Sequence, residues 1–117
     1  MSGNDDTLVN KHCVPCHGGV TALTPDEAKA MLGRLLSSGK DGWQLVEDGK
    51  ALKREFKFPD FFRAMSFVNA VAHIGNGEDH HPDIECGWGY ARIRYQTHAI
   101  GGLHENDFIC AAKIDAL

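Results

Sequence analysis

Two adjacent imidazoles and a proline, His80-His81-Pro82, follow Asp79 and are answered eighteen residues after His80 by His98. These are the groups of the chain best suited to chemistry. Imidazole titrates near pH ~6.5, so it gives or takes a proton at neutral pH with little tuning. Several together suit a reaction that moves two protons. Successive side chains of a strand point to opposite faces, so His80 and His81 can share a pocket only where the backbone is irregular. Pro82 supplies that irregularity, because it fixes its own φ and drives His81 out of the α region. Solvated loop histidines are the plain alternative. Three histidines could also hold zinc, but the chain has no HExxH helix and no carboxylate at ligand spacing. Neither a metal nor a cofactor is expected.

The elements around these residues must bring His98 back to His80 and His81. Ile84 to Cys86 and Tyr90 to Thr97 read as two strands joined by Gly87-Trp88-Gly89. A hairpin sets the far end of the second strand beside the start of the first, so the three histidines are expected to meet. Upstream, a helical pattern starts at Pro59 with Phe61, Met65, Val68 and Ala72 on one face, widened by Phe62 and Val71. It fades near His73 or Ile74, where Gly75 or Gly77 can be the left-handed stop. His73 is assigned to the helix dipole and not to the site.

Earlier in the chain, Thr24-Pro25-Asp26-Glu27 is a capping box with proline at the first helical position. Ala28, Met31, Leu32, Leu35 and Leu36 then give one apolar face, and Gly39 is the expected end. Trp43 to Glu47 and Ala51 to Phe58 flank Asp48-Gly49 as a hairpin. Ala91, Ile93 and Tyr95 are expected to face the helices, with Arg92 and Arg94 outward. Glu105 to Leu117 closes the chain as a helix that buries Phe108, Ile109, Ala112 and Leu117, with His104 at its N-cap. Asp107, in its first turn, can cap the helix or meet the site; capping is the expected role. The order is α-β-β-α-β-β-α: an α+β fold, a four-stranded antiparallel sheet with three helices on one face.

The motif also resembles the pterin-4a-carbinolamine dehydratase family, which includes the dimerisation cofactor of a liver homeodomain transcription factor. The family pattern is present as His80-His81-Pro82, five residues to Trp88, nine to His98 and eight to Asp107. Similarity extends through Gly42-Trp43, Phe56-Lys57-Phe58 and Asp60-Phe61 to Ala111-Ala112-Lys113, roughly residues 20 to 115. One departure is Asn76, four before His80, where the family usually has a charged residue. The resemblance implies dehydration of a 4a-hydroxytetrahydropterin to the quinonoid dihydropterin. It implies that His80 and His98 do acid–base work and that His81, Asp79, Pro82, Trp43 and Thr97 bind substrate. Asp79 is the expected orienting partner of His80. Trp43 reads equally as a core or rim aromatic. Homodimers or homotetramers are implied as well, and an aromatic amino-acid hydroxylase is the functional partner that would supply the substrate. Two rival readings are a protein-binding module that stabilises a partner's dimer and a dehydratase serving molybdopterin metabolism.

The 117 residues are expected to form a single domain, with residues 1–20 a poorly defined cysteine-containing leader. A hydrophobic content of 43% with 24% charged residues is ordinary for a globular chain. The net charge of −4 argues against nucleic acid or an anionic membrane as partner. No signal peptide or spanning segment is visible, so a cytoplasmic location with Cys13, Cys16, Cys86 and Cys110 reduced is expected. Cys13-Val14-Pro15-Cys16-His17 spells a c-type haem attachment motif. With no export signal it is read instead as a locally ordered turn. Zinc on this leader lacks a second cysteine pair at matching spacing.

Overall fold

Capping chemistry and strand alternation account for the elements of the structure, a computed structural model that describes residues 7–15, 18–37 and 42–117. The Thr24 amide donates to the Glu27 carboxylate at 2.8 Å, and the Glu27 amide donates to Thr24 Oγ1 at 3.1 Å. This reciprocal pair satisfies two amides that a helix start otherwise leaves unpaired. Helix α1 runs from there over Pro25–Ser37 and buries Ala28 and Leu35 completely. Gly39, the expected end, lies outside the described residues, as do Cys16 and His17. Strands β1 (Gln44–Val46) and β2 (Ala51–Lys57) form the anticipated hairpin. Its turn holds three successive residues in left-handed backbone, Glu47, Asp48 and Gly49, where the sequence pointed to Asp48-Gly49.

Helix α2 (Phe61–Glu78) begins after Asp60, whose side chain accepts the Arg63 amide at 2.8 Å. Strands β3 (Asp83–Gly87) and β4 (Tyr90–Tyr95) and helix α3 (Glu105–Asp115) complete the order α-β-β-α-β-β-α. The sheet is antiparallel throughout in the order β1-β2-β4-β3, so β4 inserts between β2 and the edge strand β3. Ala91, Ile93 and Tyr95 of β4 are fully buried under the helices, while Arg92 and Arg94 lie on the opposite face. There the two arginines pair with Glu55, Glu85, Glu47 and Asp83. Such exposed pairs contribute about 0–1 kcal/mol each. Burying a side chain such as Ile93 or Leu52 contributes roughly 1.5–3 kcal/mol, so the apolar layer holds the fold and the ion pairs decorate it.

Three local expectations change. Helix α2 does not fade at Ile74. It continues through Gly75 and Gly77 to Glu78, and the left-handed stop is Asp79 (φ 52°, ψ 42°). The amides of Asp79 and His80 both donate to the Gly75 carbonyl, which turns the chain back over the helix. Gly75 is needed for that fold-back: a Cβ there would lie 3.3 Å from the His80 carbonyl oxygen and 3.4 Å from Pro82 Cδ. Helix α3 is buried on nearly every side, from Asn106 to Ala112 and again at Ile114, whereas Leu117 falls beyond its end and is exposed.

The cause of that burial is the third change. Residues 7–15 of the leader are packed: Leu8–Asn10 makes a 3-10 turn with Leu8 buried against α3, and an extended strap continues from it to Pro15. Lys113 Nζ donates to the Val9 carbonyl at 2.8 Å, and Lys11 pairs with Glu105 at 2.8 Å. Asn106, 2% exposed, grips Val14 from both sides, donating to its carbonyl at 2.7 Å and accepting its amide at 3.1 Å. Cys13 donates its amide to Glu78 at 2.7 Å, so the strap bridges the start of α3 and the end of α2.

Candidate active site

His80 leaves α2 immediately after the Asp79 stop, and its ring lies flat against Tyr95 of β4 (centroids 5.8 Å apart, planes 7° apart). Its Nε2–H donates to Asp107 Oδ1 at 2.6 Å. Asp107 has no exposed surface, and its other oxygen accepts the Thr97 hydroxyl at 2.8 Å and the His104 amide at 3.0 Å. Asp107 thus caps α3 and grips His80 at the same time, where the sequence reading favoured the cap alone. Burial opposes a charge on His80, but the hydrogen bond and charge of Asp107, with smaller help from Cys110 and Asp79, hold its pKa above the ordinary value. The orienting carboxylate is therefore Asp107 and not Asp79, whose backbone is occupied in stopping the helix.

His81 follows and is exposed. Its Nε2–H donates to Asn76 Oδ1 at 3.1 Å, one turn back on α2, which leaves Nδ1 as the acceptor of the neutral ring. Asn76 thus sets the ring of His81. His98 starts a 3-10 turn (His98–Ile100) just past β4 and is exposed. The pairing of Asp83 with Arg94 brings that end of β4 beside the fold-back at His80.

These residues enclose one cavity of about 520 Å³, lined by Asp79, His80, His81, Thr97 and His98. Five of the seven residues singled out from sequence therefore come together. Thr97 takes part with its hydroxyl already given to Asp107. Pro82 does not line the cavity; its ring abuts Gly75 and shapes the fold-back. Trp43 does not line it either. It is 2% exposed, donates Nε1–H to Asp115 at 2.9 Å, and stands behind Tyr95 with centroids 6.4 Å apart. The structure makes Trp43 a core aromatic two rings from His80.

The opposite wall was not foreseen. It is formed by Cys13, Val14 and Pro15 of the strap, with Glu78 and Asn106 that hold them. No periodicity marks an extended strap, so sequence patterning had no means of finding it. Asp107 did have a signal, its place in the spacing that ends the histidine motif. Among the described residues no group of three or more His, Cys, Asp or Glu side chains is arranged to hold a metal ion. No helix among them is long and apolar enough to cross a membrane. The arrangement supplies one imidazole with a buried carboxylate behind it and two more accessible imidazoles around a common space. Such a set can donate one proton and accept another across a small polar heterocycle.

The family model described as pterin 4 alpha carbinolamine dehydratase matches residues 21–117. A protein of Halorhodospira halophila, provisionally named pterin-4-alpha-carbinolamine dehydratase, is 50% identical over 111 residues, 95% of this chain and 97% of that one. A Nitrosospira multiformis protein with the same provisional name is 48% identical over all 117 residues, covering 97% of its length. Among solved structures, a transcriptional coactivator/pterin dehydratase from Brucella melitensis superposes with a TM-score of 0.73 at 33% identity, over 82% of this chain and 97% of that one. A pterin dehydratase-like protein identified as a RuBisCO assembly factor in the alpha-carboxysome matches at a TM-score of 0.56 and 25% identity, over 65% and 88%.

Proposed function

As the chain belongs to the pterin 4 alpha carbinolamine dehydratase family, we propose that it removes water from a 4a-hydroxytetrahydropterin to give the quinonoid dihydropterin. The observation that carries this reading is the convergence of His80, His81 and His98 on one cavity, with Asp107 behind His80. Dehydration needs a proton for the departing hydroxyl and removal of one from the neighbouring ring nitrogen. His80, whose proton is held by Asp107, is the acid, and Nδ1 is the nitrogen left to face substrate. His98 is the base, and His81, set by Asn76, binds the heterocycle with Asp79. Thr97 acts from the lining through Asp107, and Pro82 acts behind it through the fold-back. An aromatic amino-acid hydroxylase would supply the carbinolamine, and we place the reaction in the cytoplasm, within tetrahydrobiopterin recycling.

The experiment follows decay of freshly generated carbinolamine by ultraviolet absorption at neutral pH. His80→Ala and His98→Ala should each lower kcat about 10²–10⁴-fold, with smaller changes in KM. His81→Ala should act chiefly on KM. A folded double variant of His80 and His98 that turns over as fast as the parent would sink the assignment.

A protein-binding role for the same fold is favoured by one further observation. Phe61 and Phe62 at the start of α2 are 50% and 77% exposed, and Trp88 in the β3–β4 turn is 71% exposed. The Phe58 amide donates to the Gly89 carbonyl at 2.8 Å, which ties that turn to the entry of α2. Phe61 and Phe62 stand at the opposite end of α2 from the histidines, a helix of 18 residues and about 27 Å. Self-association through this end and the open β3 edge would cover it as a homodimer or homotetramer without closing the cavity. Sedimentation of the parent and of Phe62→Asp distinguishes the two cases: a parent that sediments as a monomer excludes self-association.

A further inference from the structure

Cys13 and Cys110 stand 97 positions apart in the chain, yet their sulfurs are 3.6 Å apart. From this geometry we infer that they form a reversible disulfide site that fastens the strap to α3 at the wall of the cavity. A disulfide bond is about 2.05 Å long, so the gap closes by about 1.5 Å. Cys110 lies within α3 and is fully buried, so it cannot supply that movement. Cys13 belongs to extended backbone outside any helix or strand, is partly exposed and lines the cavity. Its neighbours fix it on both sides, through the Cys13 amide on Glu78 and Val14 on Asn106, so its side chain is presented to α3 and not left to wander. The remaining described cysteine, Cys86, sits against Met65 of α2 and does not compete for either sulfur.

The surroundings make Cys110 the more acidic of the two sulfurs. The hydrogen bond from Cys13 lowers the pKa of Cys110, with the charge of His80 adding to it, while the Cys13 thiol is raised by the same bond. The Tyr95 hydroxyl is buried beside the Cys110 sulfur and also lowers its pKa. A hydroperoxide entering the cavity meets Cys13 first. As the Cys13 sulfur attacks, the O–O bond breaks, and the Cys13 proton leaves with the departing oxygen as water or an alcohol. Cys110 then attacks the sulfenic sulfur of Cys13, the S–S bond forms, and its proton departs with the sulfenic oxygen as water. Two electrons have gone from the sulfur pair to the peroxide. A dithiol reductant restores both thiols by exchange.

The test uses the full chain and hydrogen peroxide, followed by alkylation of free thiols under denaturing conditions, digestion and mass spectrometry. The expected product has lost two hydrogens and carries a peptide pair joined through Cys13 and Cys110. It should persist in Cys16→Ser, vanish in Cys13→Ser, and be reversed by dithiothreitol. In parallel, proteolysis within residues 7–15 should slow about tenfold after oxidation, because the strap can no longer lift. A Cys13–Cys16 bond, accumulation of singly oxidised Cys13 with Cys110 still alkylated, two unreacted thiols, or an unchanged cleavage rate would each overturn the inference. None of these readouts involves a pterin, so this inference and the dehydratase reading fail independently.

Discussion

Asp107 concentrates more of the site than any other single residue. One oxygen takes the His80 proton, and the other takes the Thr97 hydroxyl and the His104 amide. Asp107→Asn keeps the shape but turns a donor toward Nε2 of His80, which forces the other tautomer. The expected result is a kcat lowered at least tenfold and a stability loss of about 1–3 kcal/mol, the cost of disturbing a buried hydrogen-bonded group. The pH dependence has a defined sign. His80 is raised above 6.5 in the folded chain, so the stabilisation from its charged form is complete below that value and is lost as pH rises through the folded pKa. The stability gap between parent and Asp107→Asn should therefore be widest in mild acid and narrow toward alkaline pH. Urea denaturation across that range checks it; a gap that widens with pH would contradict the pairing.

At the scale of elements, the end of α2 decides where the histidines go. Gly75 and Gly77 look alike in sequence, yet the structure separates them. A methyl group on Gly77 would meet nothing within 4 Å, so Gly77→Ala should stabilise the helix by up to about 1 kcal/mol. Gly75→Ala has the same intrinsic gain but presses on the His80 carbonyl, the His81 ring and Pro82. It should give little or no net stability and should disturb catalysis, which thermal unfolding and turnover of the two variants together will show. This contrast also explains what sequence could tell. The capping box at Thr24, the alternation of Ala91, Ile93 and Tyr95, and the hairpin that returns His98 are local signals, and all three were legible. The stop at Asp79 was not, because two glycines offered cheaper left-handed backbone and only the fold-back over Gly75 displaces the stop beyond them. Trp43 could be placed in core or pocket from sequence; its bond to Asp115, 72 residues away, turns it inward.

The whole molecule is closed by contacts between its two ends. Glu78 gathers them: burial works to raise its pKa, but the Cys13 amide, His12 and Lys113 together lower it below 4.5. A depressed carboxylate contributes stability that is present above its unfolded value and lost as pH falls through the folded one. The strap should therefore loosen below about pH 4.5 before the sheet does, read as faster hydrogen exchange at the Cys13 amide while β4 amides remain protected. Simultaneous loss of protection at both would show that the strap has no separate stability. The long reach of these contacts has a further meaning for a chain made from its N-terminus. Lys11 and Glu105 are 94 positions apart, so at 5–20 residues per second roughly 5 to 20 s pass between synthesis of the strap and synthesis of its seat. The four strands are all made during that interval, but the strap has no seat until α3 arrives, and Cys13 waits without Cys110. On the ribosome, then, the site is completed only after all four strands have been made, with the arrival of α3.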